Sequence, residues 1–358
     1  MIKILCIADA PGPAEMMLPV LSLLKNNAEV LVLAYGKAFE VLASSGAKEI
    51  KTVEEAVTEF ENFKPDILVD AISSLTTGPY IQNTLIKKAS DENVKVVCLQ
   101  DIWGNHRWKH NEPSLKFSNL VCTLDEFGAS LWREDNFKGE VVATGNPAFE
   151  KFKDVNVMKE GASTRARLGL SDSDKIIFYV GQGTPRAIEE DKKTFKLLTE
   201  SLKLITDFPT KLIFRPHPRA EETSYYKEYS DGLNVVDTTK IHFSESLLPV
   251  ADLVVSIFAT NLIHACYLRL PAMSIILPGA GSEITDILRL KDFPPNTMGA
   301  TVGFYENNPE ALKELIRKIL TDENFQKSIH TAQEKNFILD SKSAERVAEA
   351  ILNSPPKL

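Results

Sequence analysis

The chain has 358 residues, which at about 150 residues per domain makes two domains the expectation. Hydrophobic residues make up 44% and charged residues 25%, which excludes disordered, collagen-like and fibrous architectures. A formal net charge of −8 argues against a polyanionic partner, so no nucleic acid is expected. The apolar run 4–8 stops at Asp9, too short for the core of a signal peptide. The richest later stretch, 253–277, is broken by Asn261, His264 and Arg269, which rules it out as a membrane span. A cytoplasmic protein is expected. Cys6, Cys98, Cys122 and Cys266 are widely spaced inside apolar segments and read as buried reduced thiols.

In chain order, residues 2–8 form a continuous apolar run bounded by Asp9, Pro11, Gly12 and Pro13, the pattern of a strand buried on both faces of a parallel sheet. A helix over 14–25 and a strand over 29–34 complete a βαβ unit. The alternation continues with a helix at 37–45, a short strand near Glu49, a helix at 53–63, a strand at 66–69 and a helix at 79–93. Strands at 95–99, 119–123 and 140–143 close the first half. Residues 145–170 hold a Gly-Asn-Pro turn and a charged irregular stretch, where the hinge is expected. The same grammar restarts with strands at 175–180, 211–214, 234–236, 253–256, 272–277 and 300–304, followed by amphipathic helices at 323–334 and 343–353. The predicted fold class is therefore α/β, two Rossmann-like doubly wound parallel-sheet domains whose carboxyl-end loops face an interdomain cleft. The expected division is 1–148, joined by about 340–358, and 149–339.

Several loops at strand ends carry residue types suited to an anionic ligand. Gly181-Gln-Gly183-Thr184-Pro-Arg186 follows the strand 175–180. Its glycines allow close approach of a phosphate, and Thr184 and Arg186 supply donors; a tight turn with an exposed arginine is the plainer reading. Arg215-Pro-His217-Pro-Arg219 sets two arginines and an imidazole at the next strand end, as a pyrophosphate or sugar phosphate needs, the alternative being a proline-stiffened surface loop. Ser256, Thr260 and Asn261 flank the start of a helix whose free N–H groups suit a phosphate. His264, one turn further in, either faces that ligand or lies in the core.

In the first half, Asp9 and Glu15 are candidate general bases, although Glu15 also fits an ordinary first-turn carboxylate. The stretch from Gln100 to His110 gathers Asp101, Trp103, His106, Trp108 and His110. It predicts acceptor recognition by aromatic stacking, with Asp101 or His106 as base, against a loop anchored by its tryptophans. His106 and His110 lack an HExxH context, and no Walker A, GxSxG or first-strand GxGxxG pattern is present, so no metal is expected.

These residues resemble the GT-B superfamily of two-domain glycosyltransferases and the related UDP-N-acetylglucosamine 2-epimerases. The resemblance rests on the segment from Asn119-Leu-Val-Cys-Thr-Leu-Asp-Glu to Thr144-Gly-Asn-Pro147 and on the Arg-Pro-His-Pro segment. It implies that His217 contacts the donor phosphates or the reacting sugar, that the last helix crosses back onto the first domain, and that the substrate is a nucleotide-activated sugar with no separate cofactor. It further implies a metal-independent transferase of surface-polysaccharide or glycoconjugate biosynthesis acting on a glycan or lipid-linked acceptor, with peripheral membrane association and oligomeric state left open. Two departures stand out. His264 occupies the place of the family's ribose-binding acid, and Ser73 that of one of the epimerases' N-domain acids. An epimerase-like enzyme and a catalytically impaired nucleotide- or glycan-binding protein are the alternatives.

Overall fold

The computed structural model describes residues 1–73, 81–183, 187–218, 220–238, 244–280 and 283–353. It divides into two compact units: Met1–Glu150 with Ile287–Arg289 and Asp340–Leu358, and Lys151–Asp286 with Leu290–Leu339.

The first unit runs β1 (Lys3–Ala8), α1 (Pro11–Lys25), β2 (Glu29–Ala34), α2 (Lys37–Leu42), β3 (Lys48–Glu49), α3 (Val53–Phe63) and β4 (Ile67–Ile72). It continues through α4 (Ile81–Asp91), β5 (Lys95–Gln100), α5 (Glu112–Phe117), β6 (Leu120–Thr123), α6 (Glu126–Glu134) and β7 (Glu140–Ala143). All seven strands are parallel, in the order β3-β2-β1-β4-β5-β6-β7, so the strand order reverses between β1 and β4. The residues of β4 and β5 are buried throughout, because helices cover both faces of a parallel sheet.

The second unit contains α7 (Val157–Leu168), β8 (Lys175–Val180), α8 (Ile188–Lys203), β9 (Thr210–Arg215), α9 (Ser224–Tyr229), β10 (Leu253–Ser256) and α10 (Thr260–Tyr267). It ends with β11 (Ala272–Ile275), α11 (Pro294–Thr297), β12 (Val302–Phe304), α12 (Pro309–Thr321) and α13 (Glu323–Asn336). Its five parallel strands run β12-β11-β10-β8-β9, reversing between β8 and β10. Tyr179, Phe195, Leu198, Tyr226, Met273 and Ile316 belong to its core.

Three segments differ from the sequence expectation. The charged stretch before β8 is a helix, α7, because the Asn156 side chain accepts from Lys159 N and the carbonyls of its last turn bond to Gly169 N. Residues 234–236 make one bridge, Leu212 to Val235, rather than a strand; Val235 is 43% exposed, so little packing extends the pairing. An uncounted helix, α12, starts at Pro309 behind the Asn308 cap. Among the described residues no helix is long and apolar enough to cross a membrane.

The last helix, α14 (Ser343–Leu352), belongs to the first unit and packs on α1. Its start is held by the Glu150 carboxylate, which accepts from Ser341 N (2.8 Å), Ser343 N (3.3 Å) and Ser343 Oγ (2.6 Å). Arg346 Nε adds a bond to Thr144 O at 2.8 Å. Glu150→Ala is expected to lower unfolding free energy by about 1–3 kcal/mol, since it strands three donors at once, with urea denaturation as the measurement.

Candidate functional site

In the first unit, the carboxyl ends of β1, β4 and β5 bring three acids into one electrostatic neighbourhood. Asp9 follows β1 and Asp101 follows β5, while Asp70 lies inside β4 and is 1% exposed. Burial pushes Asp9 up to about 7, and the charges of Asp70 and Asp101 add to the rise. Asp70 is lifted to about 6, again by burial, against donation from Ser114 Oγ (3.0 Å) and Gln82 Nε2 (2.7 Å). Burial raises Asp101 to about 7, against the Asn105 amide at 2.7 Å. The first turn of α1 comes close as well: a Cβ on Gly12 would stand 3.1 Å from Asp101 Oδ2. Carboxyl groups poised near neutrality at a topological switch point are the groups that general acid and base chemistry uses.

The loop after Asp101 is tied to the end of β4 by amides. Asn105 Nδ2 lies 3.4 Å from Ile72 O, and Asn111 Nδ2 and His110 Nε2 reach Ser73 O at 2.8 and 2.9 Å. These bonds hold Asp101 in place. Ser73, named above for a missing acid, contributes its carbonyl to this stitching.

Four expectations for this half are altered by their surroundings. His106 is 1% exposed, stacked on Trp132 at 4.2 Å, with Nδ1 on Gln100 Nε2 (3.1 Å) and Nε2 on Asp135 Oδ2 (3.0 Å). With both ring nitrogens engaged and burial pushing its pKa down to about 4, it is a structural group, not a base. Trp103 turns inward and donates to both Asp125 oxygens, at 3.0 and 2.9 Å, while the same carboxylate caps α6 through Gly128 N. That indole braces the loop and is unavailable for stacking on an acceptor. Trp108 is partly covered, with its ring 5.9 Å from that of His110. Glu15 is exposed on α1. Asp70 was not among the sequence candidates, although an acid inside an otherwise apolar strand was the visible signal.

In the second unit the β8–α8 and β9–α9 loops meet. The His217 ring fills the space over Gly183, where a Cβ would come within 1.9 Å of Nδ1, so only glycine permits this approach. Tyr226 Oη occupies the corresponding place over Gly181, which puts that glycine against the core as well as in the loop. Arg215, partly buried at the end of β9, donates through Nη2 to Thr238 O at 2.7 Å. Thr184, Arg186 and Arg219 lie outside the described residues.

Ser256 is fully buried. It donates to Val180 O (2.7 Å) and accepts from Gln182 Nε2 (3.0 Å), so it joins β10 to β8 and is not presented to a ligand. Thr260 is exposed at the first position of α10 and Asn261 is partly exposed beside it. The preceding Ala259 offers no side-chain cap of its own. His264 takes the core alternative: it is 6% exposed, its ring packs 4.7 Å from that of Phe152, and Nδ1 lies 3.3 Å from Glu245 Oε1. Burial, with Lys151 adding to it, pushes its pKa down to about 3.

No family model matches the chain, and no curated protein matches it in sequence. Solved structures match along its whole length. The UDP-GlcNAc 2-epimerase from Neisseria meningitidis bound to UDP-GlcNAc superposes with a TM-score of 0.73 at 14% identity, over 99% of this chain and 100% of that one. The UDP-GlcNAc 2-epimerase from Methanocaldococcus jannaschii in complex with UDP-GlcNAc and UDP gives 0.66 at 13% identity, over 99% and 100%. MurG from Acinetobacter baumannii gives 0.61 at 13% identity, over 99% and 100%. The fold is the GT-B fold. At this identity the likeness covers the arrangement of strands and helices, and the proteins that share it include sugar epimerases and glycosyltransferases.

Two outcomes test the geometry of this GT-B chain. Between about pH 4 and 7 the folded state holds protons on Asp9, Asp70 and Asp101 that the unfolded chain has released, so these groups make stability fall as pH rises. Asp101→Asn is therefore expected to flatten the loss of Tm between pH 5 and 8 by about a few degrees, measured by calorimetry. Gly183→Ala is expected to cost about 1–3 kcal/mol in urea denaturation, and His217→Ala in the same chain to recover most of it, because the two share one space.

Proposed function

We propose that this chain acts on a nucleotide-activated sugar as an epimerase of the UDP-N-acetylhexosamine 2-epimerase kind. The observation that carries the reading is the pair Asp9 and Asp101, each raised to about 7 by burial, with the charge of Asp101 adding to the rise of Asp9. At neutral pH such a pair favours one protonated and one ionised member. Inverting the ring carbon next to the anomeric centre calls for both: the carboxylate takes its C–H proton while the freed electron pair forms a C=C bond and expels UDP from the anomeric carbon, and the carboxylic acid returns a proton to the other face as UDP adds back. Asp70, buried between its two donors, modulates the pair through its charge.

In the second unit, Arg215, His217 and the start of α10 at Thr260 and Asn261 are the groups that would bind the diphosphate of the substrate, by charge and by the positive end of the helix. Gly181, Gly183, Thr184, Arg186 and Arg219 complete the two loops in sequence and are assigned to the same task. The full-length likeness to two epimerases supports this reading over transfer to an acceptor. Transfer in polysaccharide or glycoconjugate synthesis stays as the second reading, supported by the likeness to MurG, with Asp101 or Asp9 then acting as base on the acceptor hydroxyl.

The two are separated by incubating the chain with UDP-N-acetylglucosamine in deuterated water without acceptor. Epimerisation puts deuterium on the inverted carbon of a new UDP-sugar, visible by proton NMR, and Asp101→Asn slows it by about 10²–10⁴-fold. Release of UDP only on addition of a glycan or lipid-linked acceptor, with no deuterium in the sugar, sinks the epimerase reading in favour of transfer. UDP binding without turnover in either assay marks a binding protein.

A further inference from the structure

Asp191 is a buried carboxylate to which the acid cluster of the first unit assigns no task. It sits near the start of α8 and is fully buried, in a unit whose sheet is otherwise packed with apolar and aromatic side chains. Among the described residues its partners are neutral donors: Tyr179 Oη (2.7 Å) and Gln182 N (3.0 Å) on Oδ1, and the hydroxyls of Tyr225 and Tyr226 on Oδ2. Burial pushes this carboxyl up, and the four donors pull the other way. Packing alone does not call for such a group, because an apolar side chain of similar volume fills a core at no desolvation cost. What a carboxylate adds is acceptors for several donors at once, and those donors come from a strand, the β8–α8 loop and α9.

Gln182 N belongs to the β8–α8 loop, between the two glycines. Tyr225 and Tyr226 belong to α9, the helix that the β9–α9 connection carrying His217 leads into. Tyr226 Oη also fills the space over Gly181, while the His217 ring fills that over Gly183. One carboxylate thus fixes both loops whose meeting point is Gly183 and His217. Through the bond of Gln182 Nε2 to Ser256 Oγ, the end of β10 is fixed as well.

We propose that Asp191 is a positioning residue: it locks the β8–α8 loop and the β9–α9 connection in register and so prepares the binding place of a nucleoside diphosphate. This rests on the nucleotide-sugar reading above.

The probe is UDP, titrated calorimetrically into the full chain. The wild type binds UDP. Asp191→Asn, still folded by circular dichroism, weakens binding by about tenfold or more, equivalent to about 1.4 kcal/mol. With UDP-sugar it raises KM more than it lowers kcat, and hydrogen exchange at the Gln182 amide accelerates. Tyr179→Phe, which removes one donor of the same buried group without touching either loop, lowers Tm but changes UDP affinity by less than about threefold, a split that loss of core packing does not produce. Asp191→Ala repeats the Asp191→Asn result if it folds; otherwise Asp191→Asn alone decides. UDP binding to Asp191→Asn as tight as to the wild type overturns the assignment and leaves the function reading standing. A wild type that binds neither UDP nor a UDP-sugar overturns the function reading, and the positioning role with it.

Discussion

A carboxyl group buried beside a parallel sheet that helices cover on both faces has little water to dissipate its charge, and both halves of the molecule meet this constraint. The chain meets it in two ways. In the first unit, Asp9, Asp70 and Asp101 share one neighbourhood, and burial holds their protons to near-neutral pH. In the second unit, Asp191 is surrounded by phenols and a peptide N–H that use its oxygens, and the same kind of group becomes architecture.

The contrast extends to the histidines. His106 and His264 are driven neutral in apolar surroundings, one stacked on Trp132 and the other packed against Phe152, and each faces a carboxylate without being an exposed ligand group. His217 stands instead on a bare glycine at the junction of two strand-end loops.

Much of the architecture was legible in the residues. Runs such as 2–8 and 175–180 are continuously apolar and bounded by turn residues, which leaves a doubly covered parallel strand as the natural reading, and β1 and β8 are such strands. α7 escaped because its stability comes from caps at Asn156 and Gly169 and from contact with the 244–250 segment more than from an apolar stripe. Of the site residues, Asp9 and Asp101 stood out because they follow strands directly. Asp191 was hidden in an acidic first turn, Glu189-Glu190-Asp191, where helix phase decides which acid points inward, and that phase is set by tertiary packing. Ser256 and Trp103 were legible as residues but not as directions: each turns toward its own unit, a fact fixed by partners distant in sequence.

The return of α14 to the first unit also governs the order in which the molecule is made. The apolar face of α1 is completed by a helix that leaves the ribosome only after the whole of Lys151–Leu339 has been synthesised. At about 5–20 residues per second, that interval is on the order of ten seconds or more, during which the second unit can finish folding while the first still shows an open flank. For a nascent chain of this design, the first unit is complete only after the second has been made.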